Sequence, residues 1–91
     1  MTSAEKLSVL KNDLQLMSNA NDLFLSLLLE QAAEAIKQEG IILNESIQSD
    51  MIIISYAAYL FRKRAGTDTA MPKFLRYQLT NLLFGQKAVV K

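Results

Sequence analysis

Glu30 and Glu34 stand four residues apart, a spacing that puts both carboxylates on one face of a helix. Paired carboxylates can hold a metal ion or divide general-acid and general-base work. Helical metal sites of that kind also draw on Glu-x-x-His partners, and this chain has no histidine. It has no cysteine either. Thiolate zinc sites, disulfides, cysteine nucleophiles and histidine-based triads are all excluded. The glutamates, with Glu39 beyond them, therefore read as a solvated strip or a contact between subunits. No catalytic residue, metal or cofactor is expected, and the chain is not read as an enzyme. Tyr56 and Tyr59 read as rim residues of a core with hydroxyls at the surface. The three glycines are isolated, so no glycine-rich phosphate loop exists.

A second group is cationic. Arg62, Lys63 and Arg64 are consecutive, Lys73 and Arg76 follow, and Tyr77 adjoins Arg76. Basic residues beside an aromatic ring could contact nucleic acid. A helix-turn-helix, however, has a turn of roughly three or four residues, and the connection here has six or seven. A reading helix in that position would offer only Lys73, Arg76, Gln78 and Asn81.

These groups lie in opposite halves of an uneven charge distribution. Residues 1–45 hold seven acids and three bases, a net of −4, and residues 46–91 hold seven bases and two acids, a net of +5. The split suits a basic surface facing nucleic acid, the acidic half of one copy meeting the basic half of the next, or simply solvated surfaces.

Helices must position these side chains. Hydrophobic residues make up 51% of the 91, which excludes a disordered chain and fits one compact domain spanning 1–91. The longest apolar run, Met51–Phe61, has 11 residues and is interrupted by Ser55, well short of the ~20 that span a bilayer. The first residues show no signal peptide, and an intracellular location is the default expectation. One proline and three glycines are too few for the turns of a β-rich fold.

Four helices are predicted. Thr2 and Glu5 form a capping box, ahead of a stripe of Leu7, Leu10, Leu14 and Met17. Asn19 is the expected N-cap of a second helix over about Ala20 to Glu39, with Asp22 in its first turn and Gly40 closing it. That helix is apolar on nearly all sides, so it is expected to be buried on nearly all sides. Leu23, Phe24, Leu27 and Leu28 are expected to pack on Ile54, Ala58 and Phe61. Asn44 or Ser46 caps a third helix, about Ser46 to Ala65, with Ile47, Met51, Ile54, Ala58 and Phe61 on its inner face. The β-branched run Ile52-Ile53-Ile54 makes a strand the competing reading there. Gly66–Met71 is a polar connection. Pro72 opens a fourth helix with Phe74, Leu75, Gln78, Leu79, Leu82 and Leu83, closed by Gly85, and Gln86–Lys91 is an exposed tail.

Several segments together resemble a known family. They are Leu10-Lys-Asn-Asp-Leu-Gln-Leu16, Ser18-Asn-Ala-Asn-Asp22, Leu27-Leu-Leu-Glu-Gln-Ala-Ala-Glu-Ala-Ile36, Tyr56-Ala-Ala-Tyr-Leu-Phe-Arg-Lys-Arg64 and Met71-Pro72 leading to Leu82-Leu83. The pattern resembles the small head–tail connector proteins of tailed bacteriophages and prophages, also called head-completion or adaptor proteins. Asn21-Asp22-Leu23 stands where the family doubles an aspartate, and Ser46-Ile47-Gln48 where it has a proline. Gly85-Gln86-Lys87 replaces an arginine that often follows the last leucines.

The resemblance implies an all-α subunit that forms a homo-oligomeric ring between portal and tail and continues the DNA channel. Its implied partners are copies of itself, the portal protein, a tail-side completion protein and DNA held non-specifically in passage, with no membrane. Its implied location is the bacterial host cytoplasm during assembly, then the virion head–tail junction. Arg62, Lys63, Arg64, Lys73 and Arg76 would share one end of the subunit. There they would meet Glu30, Glu34 or Glu39 of a neighbouring copy, the preferred use, or line the channel. The alternative function is a small DNA-associated helical protein, in packaging or regulation, using the same basic junction.

Overall fold

The computed structural model describes residues 1–44, 46–64, 66 and 71–89, the side chains of 87–89 excepted. It contains α1 (Ser3–Leu14), α2 (Asp22–Gln38), α3 (Ile47–Arg64) and α4 (Lys73–Val89), with no strand among the described residues. The all-α, single-domain expectation holds. Most of the connection expected at Gly66–Met71 lies outside the described residues.

Local chemistry sets the helix ends. Thr2 Oγ1 accepts from Glu5 N–H and Glu5 Oε1 accepts from Thr2 N–H at 2.7 Å, so the capping box is complete. The Thr2 N–H is also the main reason the Glu5 carboxyl lies below its ordinary pKa. α1 stops at Leu14 because Gln15 is left-handed, at φ 59°. Gln15 N–H donates to Asn12 O and Leu16 N–H to Lys11 O, the two bonds of a Schellman turn. Met17 is thus outside the helix and 95% exposed, not part of the inner stripe. α2 begins at Asp22 after Asn21, and Asn19 instead accepts from Lys11 Nζ at 2.9 Å, which takes it away from the expected capping role. Gly40, at φ 92°, follows α2 as expected. Ser46 Oγ accepts from Ser49 N–H and caps α3.

α3 is the helix that packs against each of the other three. Three consecutive side chains on a helix fan over about 200°, so Ile52, Ile53 and Ile54 are all buried only because neighbours stand on several sides. That packing decides for helix over strand. Leu10, Leu25, Leu28, Leu29, Ala32, Ile36, Ile41, Ala57, Ala58, Leu75 and Leu79 complete the centre.

The domain measures 46 × 28 × 18 Å. Its thin dimension holds about two helix layers at 8–10 Å spacing, so every helix keeps an outward face. This corrects the expectation of an enclosed α2. Leu25, Leu28, Leu29, Ala32 and Ile36 face inward, while Leu23 is 77% and Leu27 53% exposed. Phe24 does meet Phe61, ring centroids 6.3 Å apart. On α3, Ile54 and Ala58 are buried and Phe61 half-buried as expected, but the first turns differ. Ile47 and Met51 are exposed, and Ser49 and Asp50 are buried.

α4 contributes Leu75 and Leu79 to the core, with Leu82 and Leu83 half-buried, but Phe74 is 74% exposed. Gly85 does not close the helix. Ile42 N–H donates to Gln86 Oε1 at 2.8 Å and Gln86 Nε2 donates to Ile42 O at 2.6 Å. That two-point tie holds Gln86 in a helix running on to Val89, where a tail was expected from Gln86. Val90 and Lys91 lie outside the described residues.

Candidate assembly surfaces

The acidic strip sits on the outward face of α2. Leu23, Leu27, Glu30 and Glu34 follow one another at four-, three- and four-residue steps, and all four are exposed. They form one stripe, apolar at the start of the helix and acidic toward its end. No ion pair engages Glu30 or Glu34 among the described residues. No group of three or more potential metal ligands occurs among the described residues. Glu39 departs from this strip. It follows the last turn of α2 and accepts from Arg76 of its own chain at 2.6 Å.

Among the described residues, four of the five basic residues have partners within the chain. Arg62 pairs with Asp13 at 3.4 Å. Lys63 lies over the Tyr59 ring at 5.9 Å, and the Arg64 guanidinium lies 4.9 Å over Phe24. Arg76 turns to Glu39. The ends of α3 and α4 do approach each other, since Arg62, Tyr59 and Pro72 line one cleft with Asp13. Arg62, Lys63, Arg64 and Arg76 are nonetheless each drawn to an anion or ring within reach. Lys73 remains exposed at the start of α4.

The acidic and basic halves therefore meet in part inside the chain. Within the acidic half, Lys11 pairs with Asp22 at 2.9 Å, a close contact without hydrogen-bond alignment. Asp50 is 3% exposed and pairs with the Met1 ammonium at 3.0 Å and with Lys6 at 4.0 Å.

α4 carries the second outward face. Met71, Lys73, Arg76, Tyr77, Thr80, Asn81 and Phe84 line an open groove of about 530 Å³. Tyr77 is 68% and Phe84 62% exposed. The sequence holds a signal for this face, aromatic residues seven apart on a helix whose leucines point elsewhere. It is masked because Phe74 fits the leucine stripe as well.

Tyr56 and Tyr59 occupy the rim, as expected, half-buried and edge to face at 5.9 Å. Burial is the first cause raising the Tyr56 phenol above its ordinary pKa; Glu39 and Tyr59 raise it further, and Arg76 opposes them. No family model, curated protein or solved structure matches this chain. No helix among the described residues is long and apolar enough to cross a membrane.

Proposed function

We propose that this chain is a structural subunit that assembles with copies of itself into a ring, as the head–tail connectors it resembles do. The observation that carries the reading is exposed apolar surface. Ten large apolar side chains stand at the surface among the described residues, including Leu23, Leu27, Ile47, Phe74, Tyr77 and Phe84. Single exposed apolar residues are ordinary, whereas stripes of them mark contact surfaces. In the connector reading the ring continues a DNA channel between a portal and a tail-side completion protein. DNA there is held only by weak backbone attraction, since tight base contacts would stop it sliding. The partial neutralisation of Arg62 and Arg76 inside the chain supports this reading over a dedicated DNA binder.

Mass in solution tests it, measured by sedimentation from micromolar to millimolar concentration, with and without a portal ring. Discrete oligomers that form without DNA are expected. A chain that stays monomeric in both settings, and binds duplex DNA with a steep salt slope, would instead establish the DNA-associated alternative.

A further inference from the structure

Resting on that self-assembly reading, we infer that the outward face of α4 in one copy seats antiparallel on the outward face of α2 in the next. The two faces match in spacing and in chemistry. Along α2 the stripe reads Leu23, Leu27, Glu30, Glu34, and along α4, taken backward, it reads Phe84, Thr80, Tyr77, Lys73. Both step by four, three and four residues, so each spans about 16 Å at 1.5 Å per residue.

In the antiparallel register, Phe84 lies against Leu23 and the Thr80 methyl against Leu27. The Tyr77 hydroxyl then donates to Glu30, and the Lys73 ammonium meets Glu34. Apolar ends coincide and opposite charges coincide. A parallel register would set Lys73 on Leu23 and Phe84 on Glu34, losing both matches. No ion pair engages Lys73, Glu30 or Glu34 among the described residues, whereas Arg76 and Glu39, which the sequence alone would also enlist, already hold each other.

Because the two faces differ, the contact is head-to-tail. Each copy presents α2 to one neighbour and α4 to the other, and the chain of copies closes as a ring when the rotation allows.

The absence of cysteine makes the register directly readable. In the doubly substituted Leu23→Cys/Phe84→Cys protein, mild oxidation should give a ladder of covalent multimers. The Leu23→Cys/Lys73→Cys protein, which tests the parallel register, should give none. Without cysteines, Glu34→Lys should weaken self-association about tenfold, and adding Lys73→Glu in the same chain should restore it.

Discrete oligomers in which Leu23→Cys/Phe84→Cys yields no ladder, or in which Lys73→Glu fails to rescue Glu34→Lys, overturn this pairing while self-assembly stands. A chain that never exceeds the monomer mass removes self-assembly, and the pairing with it.

Discussion

α3 and α4 are nearly equal in length, 18 and 17 residues, yet they sit in the domain in different ways. α3 buries seven side chains against three helices. α4 rests mainly on α3, with Leu75 and Leu79 buried, and is tied at its flanks by Arg76–Glu39 and Gln86–Ile42. The difference teaches that apolar content does not measure burial. α4 carries Phe74, Leu75, Tyr77, Leu79, Leu82, Leu83 and Phe84, but its aromatic rings point outward. α1, α2 and α3 each pack on the other two, and α4 lies on that unit as an arm whose inner side is anchored and whose outer side is open.

The largest expected effect lies in that three-helix unit. Ile52 is 2% exposed at its centre, so Ile52→Ala leaves a cavity among packed helices and should cost about 2–5 kcal/mol. Each kcal/mol lowers Tm by about 4–8 °C in a domain of this size. Thermal melting followed by circular dichroism measures it, and a fall of only a degree or two would mean that α3 is not the centre.

Next is the anchor of the arm. Leu79 is 1% exposed, and its expected loss is capped by local opening in which α4 detaches while the other three helices stay packed. Leu79→Ala should therefore raise amide exchange throughout α4 toward that of local opening, leaving slow exchange in α2 and α3. Uniform acceleration across all four helices would erase the distinction between unit and arm.

Much of this division is legible in the sequence, and its failures have a common cause. Helix number, the capping box, a cap for α3 at Asn44 or Ser46 and Gly40 after α2 follow from side chains acting on their own backbone neighbourhood. Rotation of a helix about its axis does not. α2 is apolar almost all round, so nothing local says that Leu25 faces inward and Leu27 outward; that is decided by where α3 lies. For the same reason a local reading places Ile47 and Met51 inward, whereas Ser49 and Asp50 hold the buried places, Ser49 bonded to Asn44 and Ser46 and Asp50 paired with Met1 and Lys6. Pairing of charges within the chain, Arg62 with Asp13 and Arg76 with Glu39, is equally invisible before the helices are placed.

Leu27→Asp sharpens the point at smaller cost. Leu27 is 53% exposed, so the substitution should cost the monomer only about 1–2 kcal/mol, from the half-burial lost and from lower helix propensity. Leu25, two residues away and fully buried, would not tolerate the same change, because an unpaired charge cannot be placed there. Denaturant unfolding of dilute Leu27→Asp, compared with the parent protein, checks this; failure to fold would put Leu27 in the core.

The smallest effect sits where arm and unit meet. Tyr56 on α3 feels Glu39 at the end of α2 and Arg76 on α4. Its pKa is raised in the folded state, first by burial and then by the Glu39 carboxylate. The folded chain therefore keeps the phenol proton after the unfolded chain has lost it. By linkage, this contribution is fully present below the unfolded value near 10 and is lost as pH rises through the folded pKa. Tyr56→Phe cannot ionise, so at pH 7 it should differ from the parent by no more than about 1 kcal/mol, the net contribution of a hydroxyl. Above pH 10 its stability should fall less steeply than the parent's. Lysines and the other tyrosines titrate in the same range, so the informative quantity is the difference between the two proteins across pH 9 to 12. Parallel curves would show that Tyr56 ionises alike in both states, and that Glu39 does not stand close enough to α3 to oppose the phenolate. A difference that shrinks in the Glu39→Gln background would trace the effect to this junction, where the carboxylate that Arg76 holds also faces the phenol.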